Sequence, residues 1–276
     1  MDLQGEYIMK DYIAVTAARN EKKLDKHIES VLNQSIPPAI FILVDDMSQP
    51  PIERSDCVVI RSNQPRISTR GVNQSTAIML GVKKATQLHP GWRFLLKLDA
   101  DALIPCNYAE KMIEYHREHP NTGISSGVSN TMTWHQQKHR PSDAAKMFTR
   151  ECWDTIGGYT IGNGFDTHAT LKAIMYGFKP RINYDAVFTE TRPNVKTGLA
   201  RWSQSGRIRA EWGFPLWHTG LAAGKNIVNG LPLFLGPLTM ILSHALYRGD
   251  ESMFPRKWIN DYARWELKNI VKRLVA

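Results

Sequence analysis

The chain has 276 residues, 42% of them hydrophobic, and a formal net charge of +9, which excludes a peptide too small or too polar to fold and leaves one large domain or two small ones. Its three cysteines, Cys57, Cys106 and Cys152, fit neither zinc-site nor disulfide spacing, and the opening "MDLQGEYIMKDY" is too polar for a signal peptide, so a cytoplasmic, reducing setting is expected. The charge is uneven: residues 1–130 hold 15 Lys/Arg against 15 Asp/Glu, and residues 131–276 hold 20 against 11. A basic surface in the second part suits phosphates of a nucleotide, a nucleic acid or lipid head groups, or is simply a solvated face.

In chain order, "YIAVTAA" (12–18) predicts a strand buried on both faces, and "EKKLDKHIESVLNQ" places Leu24, Ile28, Val31 and Leu32 at helical spacing. "AIFILV" (39–44) and "CVVI" (57–60) predict two more strands. "TRGVNQSTAIMLGVKKA" (69–85) predicts a second helix, and "FLLKL" (94–98) a further strand. The alternation implies an α/β fold with a mostly parallel sheet flanked by helices. Ligands of such sheets bind beyond the carboxyl ends of the strands. Asp45 and Asp46 follow one strand and Asp99 and Asp101 another, so all four should gather at one edge. Clustered carboxylates repel unless a cation or donors hold them, and hard oxygens suit Mg²⁺ or Mn²⁺. Asp-x-Asp alone is equally a polar turn after a strand.

Three other ways of holding phosphate do not match. "TAARNEKK" has no glycine after the first strand for a dinucleotide fingerprint. "GLAAGKN" (220–226) has three residues rather than four between its glycines and no Ser/Thr after Lys225, so it is not a Walker loop. Ala102 and Leu103 follow Asp101 where a phosphatase with an aspartyl nucleophile would show Gly-Thr or a similar pair.

The segment "YIAVTAARNEKKLDKHIESVLNQSIPPAIFILVDDMSQ" resembles the opening of family 2 nucleotide-sugar glycosyltransferases, and "KLDADAL" is similar to the Asp-x-Asp motif of their GT-A fold. "AAKMFTRECWDTIGGY" (144–159) and "GNGFDTHATLKAIMYGFKP" (162–180) resemble the segments leading to the acceptor side and carrying the catalytic base. The resemblance spans roughly residues 10–215. It implies a nucleotide-sugar part at 10–130, an acceptor and catalytic part at 131–215 and a helical extension at 216–276. It further implies an inverting transfer of sugar from a nucleoside-diphosphate sugar to a hydroxyl acceptor, lipid-linked or polysaccharide, with Mg²⁺ or Mn²⁺.

By the same resemblance, Thr16, Arg19, Asp45, Asp46 and Arg70 fall where the family holds the nucleotide, Asp99 near ribose or donor sugar, and Asp101, with Asp99, at the metal. Asp166 falls where the family's base stands, with Phe165 replacing the acid that often precedes it. His168 is expected at the surface rather than on a metal. The family's further metal-binding His has no counterpart in "DAVFTETRP", which offers Glu190 or Arg192. "RWSQSGRIRAEWG" (201–213) places Gln204 and Arg207 in a pattern similar to the Gln-x-x-Arg-Trp element of processive synthases, except that Ile208 replaces the Trp. By this resemblance Arg207 is a donor-binding residue and Gln204 and Arg209 contact acceptor or pyrophosphate, or the segment is a basic amphipathic helix.

"IVNGLPLFLGPLTMILSHAL" (227–246) has no charge over about twenty residues, long enough in principle to cross a bilayer, though its Gly and Pro favour a buried or interfacial hairpin. "RKWINDYARWELKNIVKRL" (256–274) reads as a basic amphipathic helix. Together they suggest peripheral or monotopic membrane contact, or a helical cap or contact between copies. A nucleotidyltransferase or sugar-phosphate pyrophosphorylase remains as an alternative function, lacking its Gly-rich loop. A nucleic-acid binder is weaker still, since no known module appears.

Overall fold

The computed structural model describes residues 11–69, 71–130, 140–192, 198–228, 235–249 and 251–275. It divides into two compact units, Met1–Pro193 and Asn194–Ala276.

In the first unit the elements run β1 (Tyr12–Ala18), α1 (Leu24–Leu32), β2 (Ile40–Asp45), β3 (Val58–Arg61), α2 (Val72–Leu88), β4 (Phe94–Asp99), β5 (Ala102–Leu103) and α3 (Tyr108–Glu118). After these come β6 (Ile124–Ser129), β7 (Ala145–Thr149), α4 (Arg150–Ile156), α5 (Phe165–Met175) and β8 (Arg181–Glu190). The eight strands form one sheet in the order β3-β2-β1-β4-β7-β6-β8-β5. β1, β2, β3 and β4 are mutually parallel, and β6 pairs parallel with β8. β7 runs antiparallel to both its neighbours, and β5 is antiparallel to β8. β7 and β8, from residues 140–192, thus share one sheet with β1–β4.

The apolar runs of β1, β2 and β4 alternate between two cores. Ile13, Val15, Ile42, Val44 and Leu95 face α2 through Ala77, Ile78, Val82 and Ala85. Tyr12, Ala14, Leu43, Leu96 and Leu98 face Ile28 and Val31 of α1 and Tyr108, Ala109 and Met112 of α3. Burial on both faces explains why these strands lack polar alternation. Gly81 brings α2 hard onto the sheet, because a Cβ there would stand 2.6 Å from Val15 Cγ1 and 2.9 Å from Val44 Cγ2. This approach sets the height of the first turn of α2, and with it Gln74, above the end of β4.

The second unit is helical: α6 (Leu199–Glu211), α7 (Leu216–Val228), α8 (Leu235–Ala245) and α9 (Arg256–Val275). α8 packs against α6 and α7. Gly206 permits the α6–α8 approach, since a side chain there would strike the Met240 carbonyl, and Gly236 lies against the Trp202 ring. Within its described residues 227–246 is no single helix, for α7 ends at Val228 and α8 begins at Leu235. α8 has 11 residues and spans only about 16 Å, roughly half a bilayer core. Among the described residues no helix is long and apolar enough to cross a membrane.

Candidate active site

The loops after β1 and β2 are stitched together. Asn20 N–H donates to Ser48 Oγ at 3.1 Å, and Gln49 N–H to Asn20 Oδ1 at 2.8 Å; Asn20 and Met47 both adopt positive φ. Asp45 lies inside this knot at 1% exposure, accepting from Ser48 N (2.7 Å), Ile52 N (3.3 Å) and Arg61 Nη1 (2.7 Å). Its carboxylate therefore shapes the loop that presents Asp46, which is more open and pairs with Arg66 at 2.7 Å. Thr16 is also wholly buried, and its hydroxyl meets His27 Nε2 at 2.9 Å. His27 Nδ1 faces the Ala102 carbonyl at 2.6 Å and so donates, leaving Nε2 to accept from Thr16. Burial lowers the His27 pKa and keeps the ring neutral. Thr16 and His27 thereby fix the residue that follows Asp101. Arg19 is exposed at the same edge, and Arg70 lies outside the described residues.

At the end of β4, two acids are held by different cations. Lys97, fully buried in its apolar strand, donates to Asp99 Oδ1, Asp143 Oδ2 and the Asp143 carbonyl, each at 2.7 Å. Gln74 Nε2 adds a bond to Asp99 Oδ1 at 2.9 Å. Asp143 also receives the Tyr159 hydroxyl at 3.0 Å and lies 3.3 Å from Lys146 Nζ, itself buried. Burial lifts the Asp99 carboxyl to about 6 against the pull of Lys97. Burial also acts to raise Asp143, but Lys97 and Lys146 together hold it low. As pH falls, Asp99, with the weaker cationic support, therefore takes up a proton before Asp143 does. Asp101 meets Arg192 Nε at 3.0 Å, and Arg192 Nη2 reaches Glu21 at 2.7 Å.

Asp166 occupies the first turn of α5, after Gly164 in the left-handed region. The Phe165 ring beside it packs edge-on against Tyr159 at 4.7 Å, and Tyr159 bonds Asp143. A chain of contacts therefore runs from Asp99 through Lys97, Asp143 and Tyr159 to the segment that bears Asp166. His168 is not at the surface as expected: it is 5% exposed, its Nδ1 meets Thr160 Oγ1 at 2.9 Å, and burial lowers its pKa to about 4. It shares the inward face of α5 with Phe165 and Ala169, which places it in the core.

In the helical unit, Gln204 is half-buried on α6, and Arg207 lines a cavity with Ser243, Leu246, Tyr247 and Arg248. Arg209 is half-buried within that unit. It donates to Thr219 Oγ1 at 3.2 Å and to His218 Nδ1, and it stands over the Phe214 ring at 4.7 Å. The site residues not anticipated from sequence are Lys97, Asp143, Lys146, Tyr159, Gln74, His27 and Glu21. A lysine inside an apolar strand was the available signal, seen in "FLLKLD" and again in "AKMFT".

Among the described residues no three His, Cys, Asp or Glu side chains form a ready metal shell. Asp99 and Asp101 are hard oxygen donors of the kind that could hold Mg²⁺ or Mn²⁺. Lys97 and Gln74 engage Oδ1 of Asp99 and Arg192 engages Oδ2 of Asp101, which leaves the other oxygen of each outside these bonds. One or two carboxylates plus substrate phosphates is a common provision for Mg²⁺.

This sheet, with acids at its strand ends and a helical C-terminal part, resembles the GT-A glycosyltransferases. The glycosyl transferase family 2 model matches residues 12–175, more than half the chain, and the chain belongs to that family. No match was found among curated proteins. Among solved structures, the mannosyltransferase PcManGT from Pyrobaculum calidifontis in complex with GDP-Man and Mn²⁺ is similar at TM-score 0.54 and 15% identity, over 95% of this chain and 75% of that one. S. aureus TarS 1–349 in complex with UDP-GlcNAc is similar at TM-score 0.52 and 14% identity, over 72% of this chain and 65% of that one. At these identities the likeness is one of fold. Family membership makes the chain a glycosyltransferase.

Proposed function

We propose that the chain is an inverting glycosyltransferase that moves a sugar from a nucleoside-diphosphate sugar to an acceptor hydroxyl. The observation that carries this is the pair Asp99 and Asp101 at the mouth of β4, fixed by Lys97, Gln74 and Arg192, in a family 2 chain. Asp46 and Arg19 serve the nucleoside, with Asp45 and Thr16 supporting their loops. Arg70, by its place in the sequence, is assigned to the nucleotide. Asp101, with Asp99, holds a divalent cation, which when bound offsets charge on the departing diphosphate. Asp166 accepts the proton of the acceptor hydroxyl as its oxygen bonds the anomeric carbon, while the bond from that carbon to phosphate breaks and its electron pair leaves with the nucleoside diphosphate. One displacement by one base inverts the anomeric centre.

GDP-mannose and UDP-GlcNAc, bound by the two neighbours, are the first donors to try. The expected result is Mn²⁺-dependent release of nucleoside diphosphate, lowered about 10²–10³-fold in Asp101→Asn, the order of effect of losing one preorganised electrostatic group. Asp166→Asn should retain donor binding and lose most transfer. Full activity in either variant, or a product of retained anomeric configuration by NMR, overturns the corresponding assignment. The acceptor side of the proposal is a hydroxyl presented at a membrane, supported by the exposed apolar residues and positive charge of the helical unit.

A further inference from the structure

We propose that the helical unit carries a binding site for the phosphate of an anionic phospholipid, formed by Arg207 and Arg248, with α8 lying in the bilayer interface beside it. This rests on the membrane reading above and gives it a site and a lipid class.

The cavity has a volume of about 300 Å³ and is lined by Arg207, Ser243, Leu246, Tyr247 and Arg248, with no acidic side chain among them. Arg248 spends part of its guanidinium on the Ala245 and Tyr247 carbonyls at 3.0 and 3.3 Å, which fixes it at the C-terminal end of α8. A guanidinium has five N–H donors in a planar fork, so others remain for a ligand. Two guanidinium groups and the Tyr247 hydroxyl around one hollow match the unesterified oxygens of a phosphodiester, while the Ser243 hydroxyl donates to Ser203 Oγ at 2.9 Å and lines the wall.

Leu246 belongs both to this hollow and to an apolar stripe. Leu235, Leu238, Leu242 and Leu246, spaced three, four and four residues apart, are 55%, 50%, 50% and 66% exposed. That spacing keeps them on one side of the helix. The opposite side, through Gly236, Pro237 and Met240, is buried. A leucine row that ends at two arginines has the order of a lipid, tail and then phosphate. The charge agrees: residues 194–276 hold 12 Lys/Arg against 5 Asp/Glu, so this unit supplies +7 of the chain's +9. The same charge disfavours a second copy as occupant, since it would bring two strongly cationic units together.

The test is flotation of the full chain with phosphatidylcholine vesicles and with vesicles also containing phosphatidylglycerol, at low and high salt. Binding should require phosphatidylglycerol and weaken with salt. Arg248→Ala should lower the partition coefficient about fivefold, and Leu242→Ser by a similar factor. Circular dichroism establishes that each variant is folded, and the salt dependence of the unaltered chain tests the charge term without any substitution.

No binding at low salt overturns both the site and the membrane reading. Binding that both folded variants retain overturns the site and leaves the membrane reading standing. Displacement from vesicles by inorganic phosphate at equal concentration would make this a free-phosphate site and also overturn the proposal. So would self-association by analytical ultracentrifugation that Leu242→Ser abolishes. Nucleoside diphosphate release, measured without vesicles, reports on sugar transfer separately.

Discussion

Lys97 is fully buried between two carboxylates, a costly arrangement for a lysine unless both partners stay. Lys97→Met should therefore cost about 3–5 kcal/mol in urea unfolding, the usual loss when one partner of a buried ion pair is removed. Adding Asp143→Asn should recover part of that loss by removing one of the orphaned charges; a double variant no more stable than the single would show that the pair is not the source. Arg192 is a different case. Its guanidinium is 60% exposed, so its pairing with Asp101 is worth only about 0.2–1 kcal/mol, and a divalent cation can displace it. Arg192→Ala should tighten Mn²⁺ binding by the free protein by up to about fivefold, read by calorimetry. Unchanged or weaker binding would mean that Arg192 does not compete for Asp101. These residues also mark what was legible beforehand. Asp46, Asp99 and Asp101 stood out because strand periodicity ends at them. The buried partners that decide the state of Asp99 did not, because Asp143 and Tyr159 come from distant segments that only the fold brings to Lys97, whereas Arg192 was visible in "DAVFTETRP" without its pairing to Asp101 being readable.

His116 shows how one helix is fastened to the sheet. On α3 its Nδ1 faces the Thr122 carbonyl at 2.9 Å and its Nε2 meets the Ser125 hydroxyl of β6 at 2.7 Å. Burial, aided by His119, lowers its pKa to about 4. The folded pKa lies below the unfolded value, so protons favour the unfolded chain: this contribution is present above about pH 6.5 and fades as pH falls towards 4. At pH 5 the loss should be about 2 kcal/mol, and His116→Gln should flatten that part of the stability curve; an equally steep curve in the variant would refute the assignment. At this scale the chain was readable where period and burial coincide. The expected helices at 69–85 and 256–274 appear as Val72–Leu88 and Arg256–Val275. The 227–246 run was harder, because an uncharged stretch looks the same whether it lies flat or spans. Pro237 sits in the first turn of α8, where its missing N–H has no intrahelical partner to lose.

Across the whole molecule, the uneven charge was visible in the sequence and coincides with the division into units, since +7 of +9 belongs to residues 194–276. The parallel character of the first strands was visible too. The reversal of β7 was not, because strand direction is set by long-range pairing rather than by local pattern. That reversal has a consequence for synthesis of the chain. β3, β2, β1 and β4 are neighbours in space and are all complete by residue 99, so this half of the sheet can assemble while the rest is still being translated. The far edge of β4, however, waits for Thr149 to pair with Phe94. For about fifty codons a growing polypeptide would carry an unpaired, largely apolar strand edge, the kind of surface that invites chaperones or mispairing. Stalling translation with an arrest peptide at successive lengths should show a first pulling force once residue 99 has cleared the ribosome tunnel and a second after residue 149. A single late event would mean that the two halves form together and that the edge is never presented.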